Sequence, residues 1–522
     1  MESKESTIPP LYATLASGLQ GDIDTSSHTL MSHARDNSPC FIRPHIVVFP
    51  KTAEDIKRVL ACAGEYHIPV AIQGSRTNTH GAALAEGIAV DMTRYFSSIH
   101  HADPLGHTIT VDAGASCEKI RNHLLGWNME IPFLTSADDH STIGGILATK
   151  NTSPTSFTSG GIQSSVIGMT VILSNGEQHV LEDGITPSGQ LLSIYQALFP
   201  LLAKETYNLR GAKPHAIEDP AGYNLWGSSV GPRQLIHQLL GSQGTLAVIT
   251  QVKLRMTPRK KERLTYLVGI PRYSDVSRLV DICIHHTAHA ISLYDTMLEE
   301  CVRKYVHDEA LPFIDEPHLL TLLVTLTDDD KHILHERGAR MVQALGVEKN
   351  YVTAVGETFR SELFQDYSHI LKLLRAYTNN SLTPMPTGTG IIVPLHKLND
   401  TLEAIDVYHT SNRLLYSVTG NVASGHLSVV TYIDSHDANV ASIFLEAAQA
   451  LASIAQKHHG SMSAGSGDGI LFTPFLPHFF SPHICELFTQ IKMIWDPKNI
   501  LNPGKKNGLS MSYLRDRILP ER

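Results

Sequence analysis

Cysteine is scarce in this chain of 522 residues: Cys40, Cys62, Cys117, Cys283, Cys301 and Cys485 lie far apart, with no C-x-x-C pair. That spacing disfavours a zinc site or an iron–sulfur cluster built by this chain alone, and reduced thiols are the simplest reading. Long apolar runs are missing as well. No stretch of about 18 apolar residues occurs, so no membrane-spanning helix is expected. The opening Met1-Glu-Ser-Lys-Glu-Ser carries acids and no apolar core of an export signal, which makes a cytoplasmic location the expectation. Positive charge is in deficit, 42 Lys and Arg against 51 Asp and Glu, and a net charge of -9 argues against a nucleic-acid partner. Two nucleotide signatures are also absent. Gly465-Ser466-Gly467-Asp468-Gly469 lacks the third glycine of a Rossmann fingerprint at its spacing, and there is no P-loop.

What is present is ordinary globular material, 42% hydrophobic and 18% charged, long enough for two or three domains. From Ile46 to about Pro258, short β-branched runs (Ile46–Phe49, Val70–Ile72, Ile88–Asp91, Thr108–Asp112, Met169–Leu173, Leu246–Val252) alternate with helical stretches such as Ala53–Tyr66, an α+β pattern. The charged stretch Pro258-Arg-Lys-Lys-Glu-Arg263 reads as a hinge. Beyond it the texture restarts with Leu264–Val268 and a helix over Ser274–His289. Strands follow at Leu319–Leu326, Gly390–Leu395 and Leu427–Ile433, then a long amphipathic helix over Asn439–His458.

The richest local signal is a strand that runs from Pro69 into Gln73-Gly74-Ser75-Arg76-Thr77-Asn78-Thr79-His80-Gly81-Ala82. Without Cβ atoms at Gly74 and Gly81 the backbone N–H groups can close around phosphate oxygens, and Ser75, Thr77 and Thr79 can add hydroxyl donors. A ligand-free structural turn has the same composition, so this segment alone leaves both readings open.

Seven further segments fall in one order along the chain: Ser32-His33-Ala34-Arg35-Asp36-Asn37-Ser38, Arg43–Pro50, Asp112-Ala113-Gly114, Thr142-Ile143-Gly144-Gly145, Ala221–Leu225, Gly241–Leu246 and Asp496–Lys505. With the turn they resemble the FAD-linked oxidases of the vanillyl-alcohol oxidase superfamily. Within it the chain looks most like the branch of cytochrome-type D-lactate dehydrogenase, the glycolate oxidase FAD subunit and D-2-hydroxyglutarate dehydrogenase. The resemblance implies a two-subdomain FAD-binding domain and an α+β cap domain over the substrate. The implied boundaries are an N-terminal segment at 1–42, the FAD domain at 43–258, the cap at 259–470 and a C-terminal return at 471–522. It implies an FAD site in which Gln73, Gly74, Ser75, Arg76, Thr77, Asn78, His80, Gly81 and Ala82 hold the pyrophosphate. Ser141, Thr142, Gly144 and Gly145 would face the flavin, Gly244, Val248 and Ile249 the adenosine, and Asn502 the isoalloxazine. Some relatives tether FAD to a histidine in this turn. Thr77 stands at that position here, so non-covalent FAD is expected.

The implied activity is hydride transfer from a small hydroxylated substrate, a 2-hydroxy acid first, to flavin N5. Electrons would pass to oxygen, quinone, cytochrome or an electron-transfer flavoprotein, the last partners leaving room for peripheral attachment at the inner face of a membrane. Such chemistry needs a carboxylate anchor, for which a guanidinium is suited. By resemblance Arg375 is the candidate, an ordinary surface arginine being the alternative. It also needs a base. The family's metal motif aligns with Gly420–Ser428 and Gly460–Gly469, but Asn421, Ser428 and Gly465 replace its ligands and Ser466 its base, so no metal of the family type is expected. His426 is the remaining candidate base, with Asp468 to orient it; a structural histidine is its alternative. An alcohol or sugar oxidase, an alkyl-glycerone-phosphate-synthase-like flavoenzyme, or a flavin-binding protein with a decayed site stay open.

Overall fold

The computed structural model describes residues 11–134, 137–213, 219–226, 232–306, 312–355, 367–377 and 381–518. The first sheet has four strands, β1 (Asp22–Asp24), β2 (Ile46–Phe49), β3 (Val70–Gln73) and β4 (Ile88–Asp91), in the order β1-β2-β4-β3. The three Val- and Ile-rich strands run parallel. Every residue of β2 and β4 is buried, as expected for parallel strands covered on both faces. The helix Ala53–Tyr66 crosses between β2 and β3. It starts on a capping box of Thr52 and Asp55 and stops at His67, which turns left-handed at φ 53°.

The second sheet is antiparallel: β5 (Ile99–Asp103), β6 (Thr108–Asp112), β8 (Val166–Ile172), β9 (Gln178–Glu182) and β10 (Val248–Arg255), ordered β5-β6-β10-β8-β9. A two-stranded ladder of β7 (Met129–Glu130) and β11 (Thr257–Pro258) lies at its end. That ladder pins the charged stretch after Pro258, and Arg259 N–H donates to the Asn128 carbonyl at 2.9 Å.

The third sheet has seven strands, β12 (Glu262–Ile270), β13 (Ala290–Asp295), β14 (Leu320–Asp328), β15 (Val352–Val355), β16 (Leu382–Ile392), β17 (Tyr416–Gly420) and β18 (His426–Asp434), ordered β15-β12-β14-β13-β17-β18-β16. Two elements differ from the pattern reading. The helix expected over Ser274–His289 runs only from Val276 to His285, because the chain must turn at His286 to enter β13. Strand β16 begins eight residues before the expected Gly390, through a Pro- and Gly-rich stretch that reads as loop. Its place at the sheet edge tolerates Pro384. Gly390 is required by contact, since an added Cβ would lie 2.2 Å from the Met462 carbonyl.

The C-terminal stretch threads back through the first two sheets. Trp495 and Phe488, on the helix Pro482–Trp495, lie in the core of the second sheet, and Ile500 and Leu501 in that of the first. Val70 N–H donates to the Ile500 carbonyl and Asn502 N–H to the Val70 carbonyl, both at 2.8 Å, so the return extends the edge beside β3. Two buried ion pairs fasten it. Lys492 meets Asp496 at 2.6 Å, and Lys506 meets Asp468 at 2.8 Å while also donating to the carbonyls of Pro220 and Gly222. Removing one partner of such a pair strands the other charge. Lys506→Met is therefore expected to destabilise the protein by about 3–5 kcal/mol, read from the urea midpoint; an unchanged midpoint would refute the pair's role.

Candidate active site

One cavity of about 240 Å³ runs between the first two sheets and the third. Its floor begins where β3 ends. The turn after Gln73 is held open by its neighbours: Asn37 donates to the Thr77 carbonyl, Asn78 Oδ1 accepts from His80 and Ala82 N–H, and Asn78 Nδ2 donates to the Ser466 carbonyl at 2.9 Å. The Arg76 guanidinium and the His33 imidazole share Asp91 beneath it. Among the described residues, no backbone N–H group from Gly74 to Thr79 donates to another protein group. Six successive unclaimed donors on a cavity wall suit the oxygens of a pyrophosphate.

The opposite wall is the start of the helix Ile143–Thr149, capped by Thr142 Oγ1, which accepts from Gly145 N–H. Here the walls touch. A Cβ on Gly74 would sit 2.1 Å from Thr142 Oγ1, and Thr77 Oγ1 hydrogen-bonds Ser141 Oγ at 2.8 Å. A third wall turns at Gly244, at φ +68°, where an added Cβ would have no neighbour nearer than Ile72 at 4.0 Å.

Of the cofactor candidates, Gln73, Gly74, Ser75, Arg76, Thr77, Asn78, Ala82, Ser141, Thr142, Gly144, Gly145, Gly244 and Ile249 line this cavity. Four do not, each for a local reason. Val248 alternates with Ile249 along β10 and packs into the core of the first sheet. Gly81, at φ +74°, turns toward Ile470. His80 lies behind the turn with both ring nitrogens engaged, Nδ1 with the Gly467 carbonyl at 2.5 Å and Nε2 with Thr389 Oγ1 at 2.6 Å; burial pushes its pKa down to about 3. Asn502 also supports from behind, donating at 2.7 Å to the carbonyls of Ala82 and Gln243 and so tying the two turns together.

The seven-stranded sheet and the loop 465–466 contribute the remaining wall. Asn421, Ser428, Gly465 and Ser466, the residues of the altered metal motif, all line the cavity with His426. Among the described residues no group of three or more His, Cys, Asp or Glu side chains is placed to hold a metal ion. The His426 ring lies against Gly465, where a Cβ would approach it to 3.3 Å. Its Nε2 is 3.3 Å from the Thr389 carbonyl and its Nδ1 is 3.2 Å from Thr152 Oγ1. Burial without a carboxylate partner pushes its pKa down to about 4, so the ring is neutral near pH 7.

Two expectations require correction. Arg375 is exposed in the last turn of the helix Tyr367–Tyr377, past the buried Ile370, Leu371, Leu373 and Leu374, and does not line the cavity. Asp468 does not orient His426; it is fully buried with Lys506, Ser463 and the Gly222 N–H. Sequence reasoning also missed Thr152, Thr389 and Thr419 on the cavity wall. Isolated hydroxyl residues carry no spacing signal by which a sequence could single them out.

Residues 44–182 match the family model described as FAD binding domain, and residues 259–506 that of FAD linked oxidases, C-terminal domain. D-2-hydroxyglutarate dehydrogenase of Escherichia coli is 23% identical over 517 residues, covering 94% of this chain and 50% of the relative. D-lactate dehydrogenase of Archaeoglobus fulgidus is 22% identical over 488 residues, covering 90% and 94%. This chain thus spans about half the length of the D-2-hydroxyglutarate dehydrogenases it matches. In fold it is similar to 4-ethylphenol oxidase from Gulosibacter chungangensis (TM-score 0.72, 14% identity, 97% and 98% coverage). It is also similar in fold to an alkyldihydroxyacetonephosphate synthase (TM-score 0.65, 16% identity, 95% and 85% coverage). No helix of the described residues is long and apolar enough to cross a membrane. The unclaimed N–H row and the glycine-lined walls fit FAD, the cofactor that the matched domains bind. The chain belongs to the FAD-linked oxidases.

Proposed function

We propose that this protein is an FAD-dependent dehydrogenase that oxidises a small hydroxylated substrate, first a 2-hydroxy acid. The observation that carries the reading is the neutral imidazole of His426 on the cap wall of the cavity whose floor is the flavin turn. Bound there, the flavin supplies a two-electron acceptor for the hydride of the substrate's carbinol carbon. The chain's own contribution is a base. A buried, uncharged histidine can take the hydroxyl proton as the carbonyl forms. The free N–H groups from Gly74 to Thr79 hold the cofactor by its pyrophosphate, Thr142 and Gly145 face the flavin, and the seven-stranded sheet forms the wall across from them.

The relatives named for D-2-hydroxyglutarate and D-lactate support a hydroxy acid. A second reading, a neutral alcohol or sugar, is favoured by the exposure of Arg375. Among the described residues Arg76 is the one Lys or Arg on the cavity wall, and Asp91 already holds it.

The test is the visible flavin spectrum during anaerobic addition of D- and L-2-hydroxy acids, sugars and neutral alcohols. Bleaching by a hydroxy acid is expected. Bleaching by neutral alcohols alone would establish the second reading, and a flavin that no compound reduces would overturn both. Readmitting air, then offering quinone or cytochrome, identifies the electron acceptor.

A further inference from the structure

We propose that the hydroxyl of Thr152 meets the substrate and relays its proton to His426. This step rests on the reading of His426 as the base. The argument is one of hydrogen-bond valence. The Thr389 carbonyl can only accept, so the contact with His426 Nε2 places the ring proton on Nε2. Nδ1 then carries the lone pair, and the group facing it at 3.2 Å is Thr152 Oγ1, which must donate. Both nitrogens are thus occupied, and the basic one is reached from the cavity through the threonine hydroxyl.

The threonine is itself held in place. Asn421 Nδ2 donates to the Thr152 carbonyl at 3.2 Å and lies 3.5 Å from Oγ1. With its proton directed at His426 and one lone pair toward Asn421, Oγ1 keeps a second lone pair for a donor in the cavity that Thr152 lines. A substrate hydroxyl is such a donor. As the carbinol C–H bond breaks, its hydride passes to the bound flavin, the substrate O–H proton moves to Thr152 Oγ1, and the former Thr152 proton moves to His426 Nδ1. The substrate becomes a carbonyl compound, the flavin gains two electrons, and one proton rests on the imidazole. Asn421, which stands where the family places a metal ligand, becomes the positioning residue for this relay.

The test compares wild type, Thr152→Val, Thr152→Ser and His426→Gln as FAD-loaded proteins. The first readout needs no substrate. Long-range proton–nitrogen spectra of ¹⁵N-histidine-labelled protein, with His426 assigned by its loss in His426→Gln, should show a proton on Nε2 and a bare Nδ1 whose resonance moves in Thr152→Val and returns in Thr152→Ser. A proton on Nδ1, or no movement in Thr152→Val, would overturn the relay. The second readout is the rate of anaerobic flavin bleaching by D-lactate. Thr152→Val should slow it about 100-fold, with Thr152→Ser recovering most of the rate. If His426→Gln is slow and Thr152→Val is not, the relay is wrong and the base stands. If His426→Gln is as fast as wild type, the functional reading fails and the relay with it. If D-lactate leaves the wild-type flavin oxidised, that counts against D-lactate as substrate, and the nitrogen spectra still decide the relay.

Discussion

Replacing His426 by glutamine is expected to slow substrate reduction of the flavin by about 10²–10⁴-fold, the usual contribution of a positioned base, while the flavin-to-protein ratio stays normal. The ratio should hold because His426 stands on β18 and contributes nothing to the row of free N–H donors from Gly74 to Thr79 that would grip the pyrophosphate. Glutamine keeps a donor for the Thr389 carbonyl and replaces the basic ring nitrogen facing Thr152 with an amide oxygen that accepts a hydrogen bond but cannot take a proton near neutral pH. Stopped-flow bleaching measures the rate, and a variant within a fewfold of wild type would refute the assignment. The pH dependence should carry the same signature. With a pKa near 4, the ring is a competent acceptor across pH 5.5–8, so activity should fall only as pH drops toward about 4. A limb at the ordinary histidine value of 6.5 would contradict a buried site with no carboxylate beside the ring.

Stability links to the same shift. Between 6.5 and about 4 the unfolded chain takes up a proton at His426 that the folded chain refuses, so this group subtracts stability as the medium is acidified through that window. His426→Gln removes that loss. Relative to wild type, the variant should gain on the order of 2 kcal/mol on going from pH 7.5 to 5, measured by urea denaturation at both pH values.

Gly74→Ala is expected to lower the FAD content of the purified protein at least tenfold and to cost about 1–3 kcal/mol of stability by overpacking. The new methyl would coincide with Thr142 Oγ1, at 2.1 Å, and the cap it would displace holds the Gly145 N–H at the head of the opposite wall. One atom thus separates the two walls and disturbs the row of free donors from Gly74 to Thr79. Gly81→Ala is the control. Its φ of +74° strains any side chain and its methyl would press Ile470, yet it lies outside the cavity wall, so it should lose stability and keep its flavin. Absorbance ratios and urea midpoints of the two variants decide the matter; equal flavin content in both would show that the 74–142 contact does not shape the site.

How far the chain could be read in one dimension depended on whether a feature is local. The parallel strands, the helix Ala53–Tyr66 and the turn from Gln73 to Ala82 carry their reasons in adjacent residues: β-branched runs, a Thr-x-x-Asp box, glycines beside hydroxyls. So does the order of the family segments, and with it the identity of the cofactor. The loss of the metal ligands at Asn421, Ser428 and Gly465 was equally visible, because the motif that surrounds them is contiguous.

Partnership across the fold was not visible. His426 meets Thr152 across 274 residues and Asn78 meets Ser466 across 388, contacts set by how the seven-stranded sheet lies over the flavin sheets. Asp468 belongs to Lys506 because the C-terminal return passes there, and Arg375 faces solvent on a helix that offers Ile370, not Arg375, to the cavity. The sequence by itself determined the family, its cofactor, the glycine- and hydroxyl-rich turn after β3 and the replaced residues of the metal motif, since those rest on neighbours along the chain. Only the tertiary structure decided which polar groups share a proton, because hydrogen-bond direction depends on distances of about 3 Å that no spacing in the sequence encodes.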